Sequence, residues 1–164
     1  MRFVSGGQTG VDRGVLDACI ACEYPHGGYC PKGRLAEDGR IPDRYNLEET
    51  ESEQYAVRTR LNVAGSDATV VAFDTELTGG TLFSLEIANE LGRQSIVLNM
   101  RETGSSSAAA MIHSFIVENG ITTLNWSGPR ASGSDIAYDW ARKTAALVIG
   151  LLGEAAHGDG PPTN

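Results

Sequence analysis

The sequence predicts one α/β domain, a three-layer sandwich on a mostly parallel sheet. Three observations carry this reading. Strand-like and helix-like segments alternate along the whole chain. The runs Ala68–Asp74 and Ser95–Met100 are apolar or β-branched nearly throughout, the pattern of strands buried on both faces. Glycine-bearing turns, Gly6-Gly7, Gly79-Gly80 and Gly128, each follow a predicted strand and precede a helix. In such folds ligands bind outside the carboxyl ends of the strands, so the three turns are expected on one edge.

The elements follow in order. Phe3–Ser5 reads as a strand feeding a Gly-rich turn. Val11, Val15 and Cys19 then recur at helical spacing, which predicts a helix over Val11–Cys22. His26–Tyr29 reads as a short second strand. A long polar loop runs through Cys30-Pro31-Lys32-Gly33-Arg34 and Asp38-Gly39 to Leu47, and loops of that length are often functional. A helix is expected over Glu51–Ala64, with Thr50 and Glu53 spaced as a capping box; Tyr55, Arg58, Thr59 and Asn62 share one of its faces. Strand Ala68–Asp74 leads through Thr78-Gly79-Gly80-Thr81 into a helix ending near Leu91, with Gly92 as its stop. Strand Ser95–Met100, helix Ala108–Glu118 and strand Thr122–Trp126 complete the alternation. A last helix is expected from Ser134 or Asp135 to Leu152. The domain therefore spans 1–152, and the Gly/Pro-rich stretch 153–164 is expected to be a disordered tail.

A chain of 164 residues with 41% hydrophobic content can bury one full core. Its net charge of −8 argues against a nucleic acid or an anionic membrane as partner. No apolar run approaches a membrane span, and a strand beginning at Arg2 leaves no room for a signal peptide, so a cytoplasmic protein is expected. Cys19, Cys22 and Cys30 are odd in number, which argues against a disulfide framework. Cys19 and Cys22 fall on the apolar side of the first helix and read as core residues, so no metal site is assigned.

The turn Ser5-Gly6-Gly7-Gln8-Thr9-Gly10 opens a helix, which directs backbone N–H groups and the positive end of a helix dipole at whatever lies above it. An anion is the natural occupant. The alternative is a tight turn needing glycine for positive φ and close packing. The spacing is neither the dinucleotide fingerprint nor a Walker A loop. Arg13, Lys32, Arg34 and Arg130 stand beside glycine- and proline-containing turns and would offset the acidic average locally.

Six segments together resemble the molybdenum-carrier protein family, which includes the molybdenum-cofactor carriers of algae and cyanobacteria. They are Ser5-Gly-Gly-Gln-Thr-Gly-Val-Asp-Arg13, Cys30-Pro-Lys-Gly-Arg34 with Ala36-Glu-Asp-Gly39, Glu49-Thr50 with Ser52, Arg58-Thr59 with Asn62-Val63, Thr78-Gly-Gly-Thr81, and Ser127-Gly-Pro-Arg130. They run in order from Ser5 to about Ile149, nearly the whole chain. The resemblance implies a Rossmann-like fold, related to the lysine-decarboxylase-like group that includes cytokinin-activating phosphoribohydrolases. It also implies a homo-oligomer, a tetramer in better-known members. The ligand it implies is the molybdenum cofactor (molybdopterin) or a molybdate-like oxyanion, with molybdenum enzymes as recipients. Carried over residue by residue, Gly6, Gly7, Gln8, Thr9 and Gly10 with Thr78, Gly79, Gly80 and Thr81 would supply N–H and hydroxyl donors. Arg13, Lys32, Arg34, Arg58 and Arg130 would supply positive charge.

No catalytic residue is assigned. The related hydrolases carry Pro-Gly-Gly-x-Gly-Thr-x-x-Glu with a catalytic glutamate, whereas here Ser84 stands three residues after Thr81. Serine cannot replace a carboxylate as acid or base, and Glu86 points to another helix face. Binding without turnover is therefore expected. The alternatives are a phosphoribohydrolase-like enzyme and a sensor of a nucleotide-derived ligand, for which Tyr29, Tyr45 or Phe83 would stack a ring. Asp12 and Glu37, beside the proposed cradle, are the groups most able to act in an enzyme.

Overall fold

The computed structural model describes residues 1–157. In chain order its regular elements are β1 Arg2–Val4, α1 Val11–Ala21, β2 His26–Gly27, β3 Tyr29–Cys30, β4 Leu35–Ala36, β5 Gly39–Arg40, β6 Glu48–Glu49, α2 Tyr55–Ala64, β7 Ala68–Phe73, α3 Gly79–Glu90, β8 Gln94–Asn99, α4 Ser105–Asn119, β9 Thr123–Ser127 and α5 Ala137–His157. Five strands form one all-parallel sheet in the order β2-β1-β9-β7-β8. Helices α1, α5 and α4 pack side by side on one face, and α2 packs with α3 on the other. The three-layer α/β sandwich expected from the sequence is the fold.

Read from β7 onward, the strands run β7, β8, β9, β1, β2 and lie in the spatial order 2-1-3-4-5. That is the doubly wound order of flavodoxin-like sheets, with the chain opened before its fourth strand. The direction of winding reverses between β7 and β9. The residues after these two strands therefore flank the topological switch point.

The main core lies between the sheet and α1, α4 and α5, with Phe3, Val11, Val15, Val70, Ile112, Leu124, Trp126 and Ala141 buried in it. Apolar residues at helical spacing on α1 and at every position of β7 but Thr69 produce this packing. Strand β8 departs from the expectation of a strand buried on both faces. It is an edge strand, and Val97 is exposed.

The long loop holds more structure than its polar sequence announces. β3 pairs with β6, and β4 with β5. Leu16, Cys30, Ile41 and Tyr45 form a second apolar cluster beneath it. The expected capping box does not form: Glu48–Glu49 is a strand, α2 starts at Tyr55, and the Thr50 hydroxyl bonds the Ser52 carbonyl at 2.8 Å. Cys22 is not a core residue. It follows the last turn of α1 and is exposed, while Cys19 and Cys30 are buried. Helix α5 continues past Leu152 to His157, so the last helix is longer than its apolar pattern suggested; 158–164 lie outside the described residues.

Candidate functional site

The exits of β1, β7 and β9 open on one cavity of about 550 Å³. Gln8 and Asp12 line it from the β1 side, Asp74, Thr75, Glu76 and Thr78 to Thr81 from the β7 side, and Ser127 to Arg130 from the β9 side; Tyr55, Arg58 and Thr59 of α2 form a further wall. All three glycine-bearing turns thus contribute to one site at the switch point, and its volume is that of a small-molecule site.

The turns use their glycines differently. A side chain at Gly10, where φ is +75°, would meet the Pro129 carbonyl at 2.3 Å. There the Val11 N–H donates to that same carbonyl at 3.2 Å. The Gln8 N–H is taken by Asp12 Oδ2 at 3.1 Å, and the Thr9 N–H by Gln8 Oε1 at 3.0 Å. Gly6 makes room for Arg58, and Gly7 for Leu47 and Ile41. The first turn is therefore a packed joint, with these donors turned inward. The Thr78–Thr81 turn is the opposite case. Helix α3 starts there with no side-chain cap, and a Cβ added at Gly79 or Gly80 would meet nothing within 4 Å. Thr78, Gly79, Gly80 and Thr81 line the cavity, so the α3 N-terminus, where a helix leaves its first N–H groups without intrahelical partners, lies at its wall.

The cations also divide. Arg58 lies on the cavity wall and donates from Nη1 to Asp12 Oδ2 at 3.1 Å. Burial pushes the Asp12 carboxyl above its ordinary range, opposed by the Arg58 charge and the Gln8 N–H. Arg130 also lines the cavity, stacks over the Tyr55 ring at 5.7 Å and approaches Glu37 at 3.9 Å. Arg34 is buried away from it. Its guanidinium donates to the carbonyls of Ile41, Leu47, Pro42 and Tyr45 at 3.0–3.1 Å, so it braces the long loop. Arg13 donates to the Gly7 carbonyl at 3.1 Å and holds Asp38 with both terminal nitrogens. Lys32 is exposed and outside the cavity wall. A basic residue next to a turn in sequence carries no signal about where its long side chain ends.

Thr9 also falls outside the cavity wall. Its hydroxyl donates to Glu37 and accepts from the Ala131 N–H at 3.0 Å. Glu37 further accepts from the Ser132 hydroxyl and from its N–H at 3.1 Å, tying the long loop to the turn after β9. Thr78 and Thr81 line the cavity. Ser84 is buried beneath the turn and bonds the Gly80 carbonyl at 3.0 Å and Ser127 Oγ at 2.7 Å, while Glu86 is exposed. Sequence reading missed Asp74, which lines the cavity, and Arg101, which grips Asp74 and reaches Asp135 at 3.0 Å. Asp74 directly follows β7, and that position was the available signal.

A sequence profile of the circularly permutated YpsA SLOG family matches residues 3–149. The chain belongs to this family. The permuted strand order agrees with its description. A solved structure from Syntrophus aciditrophicus SB, named "Putative molybdenum carrier protein", is 35% identical. The match covers 90% of this chain and 94% of that one, with a TM-score of 0.87. The molybdenum-carrier resemblance seen in the six segments is thereby shown at the level of the family. No curated protein matches the chain.

Proposed function

We propose that this family member holds a small anionic ligand on the open N-terminus of α3 and releases it unchanged. The ligand is the molybdenum cofactor or a molybdate-like oxyanion. The observation that carries the reading is the contrast at the sheet edge. The glycines after β1 are filled against neighbours, while Gly79 and Gly80 line the cavity with nothing near them. An oxyanion or phosphate seated there accepts N–H bonds from the first turn of α3 and the Thr78 and Thr81 hydroxyls. Arg58 and Arg130 balance its charge. Threonine hydroxyls and arginine guanidinium groups line the cavity, so hydrogen bonds and charge hold the cargo. The name of the Syntrophus aciditrophicus relative supports molybdenum as that cargo.

Release without turnover rests on Ser84, whose hydroxyl is occupied by Gly80 and Ser127 and supplies no carboxylate. One observation favours the hydrolytic alternative: Asp12 lines the cavity with its pKa raised. Molybdenum enzymes are the proposed recipients, the cytoplasm the compartment, and a homotetramer the assembly. No described helix is long and apolar enough to cross a membrane.

The test is titration calorimetry with molybdate and with inorganic phosphate on the wild type and on Gly80→Val. Gly80 has open space around it, so the variant keeps its melting temperature and loses binding. Equal binding by both proteins places the ligand elsewhere.

A further inference from the structure

We propose that Gln8 and Arg58 form a second recognition point, which reads a ring carbonyl on the ligand. The physiological ligand is then a phosphate ester carrying a carbonyl-bearing heterocycle, not a bare oxyanion. This rests on the anion seat at α3. Gln8 is only 6% exposed. Its Oε1 accepts from the Thr9 and Glu37 N–H groups, both at 3.0 Å, so the amide cannot flip without setting its NH₂ against two donors. Nε2 is left buried with no partner, on a residue that lines the cavity. Beside it, Arg58 spends Nη1 on Asp12 and leaves Nε buried and unpartnered. Two buried donors without acceptors, both on residues that line this cavity and bond Asp12, are the complement of an acceptor that a ligand brings.

The sheet sets how far that acceptor lies from the anion. Gln8 follows β1 and the α3 turn follows β7, with β9 between them. Two strand spacings are about 10 Å. A tetrahedral oxyanion is too small to meet both donor sets, whereas a sugar phosphate or an alkyl phosphate joined to a ring spans them. Phe73, Phe83 and Tyr55 line the same cavity and offer faces to such a ring. Guanine nucleotides and pterin phosphates share this chemistry, a phosphate at one end and an oxo-substituted ring at the other.

The experiment measures affinities of the full chain for inorganic phosphate, molybdate, ribose 5-phosphate, AMP, GMP and neopterin monophosphate. GMP or neopterin monophosphate is expected to bind at least about tenfold tighter than ribose 5-phosphate or AMP, the worth of one good hydrogen bond. The better of the two identifies the ring. Gln8→Glu keeps the acceptor for Thr9 and Glu37 and removes the donor, so this advantage shrinks about tenfold in it. Thermal melting confirms that the variant is folded. If phosphate binds but ring-bearing phosphates gain nothing over ribose 5-phosphate, or Gln8→Glu keeps the full advantage, the second recognition point is refuted and the anion seat stands. If neither phosphate nor molybdate binds while Gly80→Val is equally inert, the anion seat fails, and this inference with it.

Discussion

Arg58 Nη1 lies 3.1 Å from Asp12 Oδ2, joining α2 to the first turn of α1 across the cavity wall. The guanidinium occupies the place a side chain at Gly6 would need, with Nη1 1.7 Å from that Cβ position. Gly6 in the first glycine-bearing turn, Asp12 just after that turn and Arg58, far along the chain, thus form one unit. Removing one member of a buried pair leaves the other uncompensated. Arg58→Met is therefore expected to cost about 3 kcal/mol in urea unfolding at pH 7. Asp12 already has a raised pKa, and losing Arg58 raises it further. The folded state then takes up a proton before the unfolded state does. The difference between variant and wild type accordingly shrinks as pH falls from neutral toward the unfolded Asp value, about 3.9. A constant difference over that range contradicts the pairing.

Arg34 braces the long loop through four backbone carbonyls. Arg34→Lys cannot reproduce the planar fork. A loss of about 2–4 kcal/mol is expected, with oxyanion affinity kept at temperatures where the variant is folded. Loss of binding with unchanged stability would return Arg34 to the ligand site.

The Glu37 junction has its own pH signature. Burial works to raise its pKa, but the Ser132 and Thr9 hydroxyls, the Ser132 N–H and Arg130 outweigh it and hold the carboxyl below its ordinary range. A depressed carboxylate stabilises the fold above its unfolded pKa, and that contribution is lost as pH falls through the folded value. Glu37→Gln should therefore cost about 1 kcal/mol at neutral pH, discounted for solvent screening, and progressively less in acid. Hydrogen exchange at Ala131 and Ser132 should quicken in the variant.

Turnover is checked by incubating the protein with nucleoside monophosphates and chromatographing for free base. No release above background is expected, since a positioned acid or base typically supplies about a hundred- to ten-thousand-fold in rate and Ser84 supplies none. Release abolished by Asp12→Asn would overturn binding without chemistry.

Helix α4 bears on assembly. Ile112 and Ile116 face the core, while Met111 and Val117 are exposed, at 48% and 59%. Met111, Phe115 and Ile96 line an outer groove beside the edge strand β8. Light scattering should give a mass above the monomer, and Met111→Lys should lower it. A monomer in both proteins at every concentration would reject the homo-oligomer.

Periodicity and turn chemistry in the sequence determined the five sheet strands, the five helices and the edge on which the glycine-bearing turns meet, because those signals are local: an apolar spacing or a glycine after a strand acts within a few residues. The six ordered segments carried the family resemblance, and the family profile over residues 3–149 shows it. Which turn is open was decided only in three dimensions. Gly7 and Gly80 look alike in sequence, yet Leu47 comes within 2.5 Å of a Cβ at one and nothing approaches the other. The fate of the cations was decided there too. Arg13 and Arg34 stand beside turns but end on Asp38 and on loop carbonyls, whereas Arg58 reaches the cavity because α2 packs beside the β1 turn. A long side chain's partner depends on which distant segments the fold brings within its reach, and no local pattern encodes that distance.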